Sequence, residues 1–63
     1  MTQEGVLAVV VLENRRHKVE AGGAPVFVAE SAEEQNRVAL ALSRILDGMA
    51  HDLENGVYII IRH

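Results

Sequence analysis

The stretch Val6-Leu7-Ala8-Val9-Val10-Val11-Leu12 decides the fold that this sequence predicts. It is an uninterrupted apolar run, rich in β-branched residues and bounded by Gly5 and Glu13. Its length suits a strand and is short for a helix. The absence of polar alternation indicates that both faces of the strand are buried. We therefore expect residues 6–12 to form the central strand of a sheet.

Two more strands and one helix are predicted further along the chain. Pro25 opens the apolar stretch 26–29, and a proline at the first residue of a strand is typical of a sheet edge. Ser31 and Glu34 have the spacing of a capping box, which starts a helix at residue 32. Apolar residues at steps of three and four predict that this helix continues to about residue 51. The last strand is 57–61, after an Asn-Gly turn.

The order of these elements, β-β-α-β, predicts a two-layer α/β fold of the α+β type. A right-handed crossover makes the second and third strands parallel, and the first strand fits antiparallel between them. The result is a half-ferredoxin-like unit with a three-stranded mixed sheet in the order 2-1-3 and one helix on one face. With 63 residues and a single proline, the chain is expected to form one domain over residues 1–63.

Neither face of this predicted sheet is polar. In the last strand one apolar set meets the helix, which would leave Tyr58 and Ile60 on the other face. Together with one set of side chains from the first strand, these two residues would form an apolar patch of roughly several hundred Å². Such a patch is larger than monomers usually expose, so we expect a second protein to cover it. As an alternative, the long loop 13–25 could fold across this face and supply small apolar side chains. Those side chains are Val19, Ala21 and Ala24.

Composition argues against several function classes. The chain has no cysteine, and His17, His51 and His63 are too far apart in sequence for a standard zinc motif. A net charge of -3 and an aromatic content of 3% do not suit nucleic-acid binding. The polar start at Met1 to Glu4 and the short apolar run behind it fit neither a signal peptide nor a transmembrane segment. These features predict a cytoplasmic protein.

Two short motifs invite a chemical interpretation. His51-Asp52 resembles an acid/base or metal pair, but a simpler interpretation is a helical ion pair between Asp47 and His51. Gly22-Gly23 resembles a phosphate-binding loop, yet it lacks the known fingerprints and is explained by turn formation. No nucleophile stands beside a base in a recognisable pattern. We therefore predict a protein that is not an enzyme and needs no cofactor or metal.

The chain also resembles a known family in two segments. These are Gly22-Gly23-Ala24-Pro25-Val26-Phe27-Val28-Ala29 and Ile45-Leu46-Asp47-Gly48-Met49-Ala50-His51-Asp52-Leu53-Glu54-Asn55-Gly56-Val57-Tyr58-Ile59-Ile60-Ile61. They are similar to the capping complex subunit for YIEGIA, a family of small proteins of endospore-forming Firmicutes named with a membrane protein that carries the YIEGIA signature. The resemblance implies a subunit, connected with sporulation, that docks on another protein at the cytoplasmic side of a membrane. It supplies no catalytic residue.

Together these observations predict a non-enzymatic interaction subunit that is homodimeric or docks on a larger membrane protein. The alternative is a sensor of a small ligand, nucleotide or phosphate that uses Gly22-Gly23 and His51-Asp52. The residues predicted to bind a partner come from the uncovered sheet face and from the two segments of the resemblance. They are Tyr58, Ile60, Phe27, Gly22, Gly23, Pro25, His51 and Asp52.

Overall fold

A computed structural model describes residues 5–19 and 22–62 of the chain. In these ranges it has β1 (Val6–Leu12), a 3₁₀ helix η1 (Glu13–Lys18), β2 (Val26–Ala29), α1 (Ala32–Ile45), β3 (Gly48–Asp52) and β4 (Val57–Arg62). The predictions for Met1 to Glu4, Ala21 and His63 fall outside the described residues.

The strands form one mixed sheet in the order β2-β1-β4-β3. β1 lies inside the sheet, as its apolar run predicts, parallel to β2 and antiparallel to β4. The α+β class and the mixed sheet are confirmed, whereas the strand number is wrong, since the described part of the chain has four strands. The predicted direction of β2 is also wrong, because β2 runs parallel to β1 and therefore antiparallel to β4, whereas the antiparallel pairing of β1 with the last strand is confirmed.

The additional strand, β3, occupies residues that were predicted to be helical. α1 ends at Ile45, and Leu46 closes it by donating its N–H to the Leu42 carbonyl at 2.9 Å. Asp47 then has a φ of 55°, in the left-handed region where helices commonly end. The chain turns there and enters β3, which pairs antiparallel with β4. The prediction that the helix continues to about residue 51 is therefore wrong, because the last residues of the predicted helix form β3.

The start of α1 is close to what the sequence predicts. Ser31 accepts a hydrogen bond from the Glu34 N–H at 3.1 Å, which confirms the N-terminal cap. The Glu34 carboxylate reaches back one residue further than a capping box requires and accepts from the Glu30 N–H at 2.7 Å. The helix therefore begins at Ala32, as predicted.

Two crossovers determine which element covers which face of the sheet. η1 lies in the connection from β1 to the parallel strand β2, and α1 lies in the connection from β2 to β3, which is also parallel. These connections cross the sheet in opposite directions. Since parallel crossovers are almost always right-handed, η1 and α1 belong on opposite faces.

The core lies between α1 and the face of the sheet on which Ala8 and Ile60 are paired. Tyr58 packs against this core, and its hydroxyl lies 3.4 Å from the Asn36 Oδ1 atom of α1. Leu7 also packs against it, because a register shift between Val6 and Ala8 interrupts the alternation of β1. The fully buried side chains of this core are Ala8, Val10, Ala29, Ala39 and Ile60.

One buried polar side chain joins the helix to the sheet. Gln35 in α1 is 3% exposed, and its Nε2 atom donates to the carbonyls of Val10 at 3.0 Å and Gly56 at 2.9 Å. A buried amide is stable only when it is hydrogen-bonded, and here one amide group connects three segments. The amphipathic pattern of α1 does not single out this residue, which the sequence analysis missed.

Gly48 supplies a test of β3. A Cβ atom at this position would lie 2.6 Å from the Ile61 carbonyl oxygen and 3.1 Å from side-chain atoms of Ile60 and Leu7. We expect Gly48→Ala to lower the free energy of unfolding by about 1–3 kcal/mol, because the close packing leaves no room. In a helix the same change would raise it by about 1 kcal/mol. Urea denaturation measures the difference.

Gly5→Ala is the matched control for this experiment. A Cβ atom at Gly5 would meet nothing within 4 Å, so stability should be unchanged or slightly higher. A Gly48→Ala protein that is more stable than wild type would contradict the assignment of residues 48–52 to a strand.

Gln35 supplies a second test. Gln35→Met keeps the length of the side chain but removes both donated hydrogen bonds, and we expect a loss of about 1–3 kcal/mol in the free energy of unfolding. Arg37→Met, at an exposed position of the same helix, should change it by less than about 0.5 kcal/mol. Equal effects in the two variants would show that the Gln35 amide does not hold the helix on the sheet.

Candidate functional site

The sheet face opposite α1 is apolar in the described residues except for His51 in β3, and we call it the open face. Residues that pair directly across neighbouring strands point to the same side, so the register identifies its members. Val9 pairs with Val26 and Ile59, while Ile61 pairs with Val6 and Met49. The open face is lined by Val6, Val9, Val26, Val28, Met49, Ile59 and Ile61.

One end of this side of the sheet is covered by η1. Val11 and Val57 are paired there and are both buried. η1 contacts β1 and β2, and the Arg15 side chain packs directly against Gly56, next to Val57. The alternative of a loop folding across the sheet is thus partly realised, but by the 3₁₀ segment and only at this end.

The rest of the open face is accessible. Val9, Ile59 and Ile61 are half-buried among their neighbours in the sheet. Toward the two sheet edges exposure rises, to 42% for Val28 in β2 and 46% for Met49 in β3. A continuous apolar surface of this kind on a small protein is typical of a protein-binding site.

Tyr58 and Ile60 lie on the other face of the sheet, under α1. Ile60 is 0% exposed and belongs to the core, and Tyr58 packs against that core. The expectation that these two residues mark the uncovered face is therefore wrong. The physical reason is that β4 is apolar on both sides, so its sequence gives no sign of which side meets the helix.

The other predicted binding residues are accessible but do not form one group. Phe27 is partly exposed in the edge strand β2, and it points to the α1 side because it pairs with Val10. Gly22, Gly23 and Pro25 are exposed in the segment before β2. Their role in binding stays a prediction.

His51 and Asp52 are both exposed, in the edge strand β3. As neighbours in a strand they point to opposite faces of the sheet, which does not suit a joint acid/base or metal role. Asp52 accepts a hydrogen bond from the Glu54 N–H at 2.7 Å and so shapes the turn between β3 and β4. The predicted helical pair of Asp47 and His51 is wrong, because the helix ends before both.

A shallow depression lies at the carboxyl ends of β1 and β2, beside the start of α1. Glu13 and Glu30 contribute to its lining, and Gly22-Gly23 does not. Two carboxylates at this position would repel a phosphate, so the depression does not favour the sensor interpretation. Among the described residues there is also no group of three or more His, Cys, Asp or Glu side chains that could hold a metal ion.

Phe27, His51 and Asp52 of the edge strands were among the predicted binding residues, but the other exposed apolar side chains near these edges were not. Large apolar side chains are more than one-third exposed in β2, at the end of α1 and around β3. Apart from Leu40, they are Val26, Phe27, Val28, Ile45, Leu46, Met49 and Leu53. The available signal was Gly48, a weak helix former that directly follows Asp47 in a dipeptide typical of turns.

The fold and this surface define a small α+β protein with a mixed sheet, one helix in the described residues and an uncovered apolar sheet face. The chain belongs to the family described as the capping complex subunit for YIEGIA, whose model matches residues 3–63. It is 43% identical over 53 residues to an uncharacterized protein of Bacillus subtilis, YpzH, and the match covers 84% of this chain and 81% of that protein.

No solved structure matches the chain in a comparison with known structures. The described part of the chain contains no helix that is long and apolar enough to cross a membrane. The match to the family model confirms the resemblance to the YIEGIA capping family. The family description is that of a subunit of a protein complex.

Proposed function

We propose that this protein is a non-enzymatic subunit that docks on the YIEGIA membrane protein, at its cytoplasmic side, through the open face. The observation that carries the proposal is the apolar surface opposite α1, where Val9, Ile59 and Ile61 occupy the two inner strands. An uncovered face in the middle of a sheet has a strong tendency to associate, because its burial removes a large apolar area from water.

The shape and polarity of the open face support a protein ligand. It is lined by aliphatic side chains at the regular spacing of a sheet, and among the described strand residues only His51, paired with Ile59, adds a polar group. It offers no cluster of donors or charges that would orient a small polar molecule. A complementary apolar segment of another protein fits this surface better.

The family description supports the choice of partner. It names a capping complex and YIEGIA, and the chain matches the family model over residues 3–63. A chain of 63 residues buries a comparatively small core, so association with a partner also contributes stability that the monomer lacks. A non-catalytic role agrees with the separation of His51 from Asp52 described above.

A substitution on β4 tests this proposal. Ile59→Thr combined with Ile61→Thr keeps two β-branched residues in the strand but makes the centre of the open face polar. The tagged chain is co-expressed with the YIEGIA protein of the same organism and purified in detergent. We expect the double variant to bind the YIEGIA protein at least about tenfold more weakly than wild type, as for the loss of an interface centre.

Leu40→Gln is the control for this experiment. Leu40 is about half exposed on α1, which packs on the other face of the sheet, so a loss of apolar surface there should leave binding unchanged. Circular dichroism verifies that both variants keep the fold. If the double variant binds as wild type does while Leu40→Gln loses binding, the docking surface is the helix and the proposal is wrong.

A further inference from the structure

In the part of the chain that the structure describes, no strand lies beside the outer edge of β3, which therefore carries backbone groups that face away from the sheet. The Leu53 N–H donates to the Val57 carbonyl at 3.0 Å, so the odd-numbered residues here bond to β4. In an antiparallel pair these positions alternate, and Gly48, Ala50 and Asp52 consequently turn their N–H and C=O groups away from β4. β3 is the last strand on this side of the sheet.

Among the described residues, β3 carries neither lysine, proline nor a bulge, and its one acidic residue is Asp52 at the end of the strand. Natural edge strands carry lysine, proline or a bulge, or a loop covers them. β3 has the sequence Gly-Met-Ala-His-Asp, a regular register with β4, and side chains that are exposed from Met49 to Asp52. Exposed apolar residues flank it on both sides in sequence, namely Leu46 and Leu53.

We propose that β3 pairs antiparallel with β3 of a second copy of this chain, about a two-fold axis at Ala50. The two four-stranded sheets then form one continuous sheet. This dimer goes beyond docking on YIEGIA, since it needs only the chain itself.

The register at Ala50 follows from the outward-facing groups. It places Ala50 opposite Ala50 of the partner subunit and Gly48 opposite Asp52 of the partner subunit. All three outward-facing residues of each strand then form hydrogen-bonded pairs. A shift by two residues leaves Gly48 outside the paired strands and places the two His51 imidazoles opposite each other.

The side chains suit a second copy as the occupant. In this register no two like charges face each other, and Met49 lies opposite His51 of the partner subunit. Arg62 pairs with Gly48 in the sheet, so Gly48 lies between Arg62 and Asp52 of the partner subunit. Because glycine has no side chain, Asp52 of the partner subunit faces Arg62 directly. Arg62 has an interaction within its own chain, and its five N–H donors allow it to bind a further carboxylate.

The dimer also brings together surfaces that are exposed in one copy. A two-fold axis perpendicular to the sheet keeps both helices on one side and both open faces on the other. Met49 belongs to the open face, so the two open faces become continuous through this residue. On the opposite side the ends of the two helices, each with exposed Ile45 and Leu46, approach the dimer axis.

A cysteine cross-link tests the register directly, because the native chain has no cysteine. Sedimentation of the purified wild-type protein should show a concentration-dependent dimer. In Ala50→Cys the two Cα atoms would be about 5.5 Å apart, which suits a disulfide. We expect mild oxidation to convert most of this variant to a covalent dimer. Ala32→Cys, exposed at the start of α1, is the control and should stay mostly uncross-linked.

A matched pair of prolines tests the edge. Ala50→Pro removes an outward N–H group of β3 without touching a bond to β4, and it should shift the protein to monomer. Val28→Pro does the same on the other edge strand, β2, and should leave the dimer intact. If Ala50→Pro fails to fold, Ala50→Lys replaces it, because two ammonium groups would face each other at the axis.

Three results would overturn the proposal. They are a wild-type protein that sediments as a monomer at all concentrations, an Ala50→Cys variant that cross-links no faster than Ala32→Cys, and a dimer lost in Val28→Pro but kept in Ala50→Pro. The Ile59→Thr/Ile61→Thr variant separates the two proposals, since it should lose YIEGIA binding and keep the dimer. If that variant is monomeric, the dimer uses the open face instead.

Discussion

The rest of this structure depends on the inner position of β1, which is buried under α1 on one face and buried at Val11 on the other. β1 is apolar at every position, and it lies inside the sheet with Val10 under α1 and Val11 under η1. Because the two right-handed crossovers run in opposite directions from this region, each face receives one covering element. The two elements are unequal, however, since α1 has 14 residues and η1 has 6. This inequality leaves the open face.

β3 and β4 are in close contact at Gly48. Gly48 allows β3 to approach the Ile61 carbonyl and the Leu7 side chain, at a point where a Cβ atom would not fit. β3 therefore shields the outer side of β4 from solvent, and in doing so becomes an edge itself. The Gln35 amide then fixes α1 over β1 and the turn before β4. Both hydrogen bonds come from the Nε2 atom of Gln35, so this one residue ties the helix to two segments of the sheet.

How much of this could be predicted from the sequence depends on the strength of local signals. The apolar run of β1, the cap at Ser31 and the proline before β2 are strong signals, and the elements they predict are present. β3 is invisible to the same reasoning, because glycine, alanine and aspartate are weak strand formers and Met49 and Leu53 continue the spacing of the helix. The turn at Asp47 has a local basis, because Asp-Gly is a turn dipeptide and aspartate tolerates a positive φ, but the continued apolar spacing outweighs that signal.

The sequence predicted that one apolar face of the sheet is uncovered, but it did not predict which residues of β4 lie on that face. An apolar face without a cover follows from the composition of β1 and β4, but periodicity assigns alternate residues to two faces without saying which face meets the helix. Burial of Ile60 settles the choice in the structure and moves the surface to Ile59 and Ile61. Once that side is open, the edges matter as well, because a sheet that is apolar on its face and unpaired at β3 has two routes to association. The proposed docking through the face leaves the edge of β3 accessible, and the proposed pairing through the edge leaves the face accessible, so the two proposed contacts are compatible in one chain.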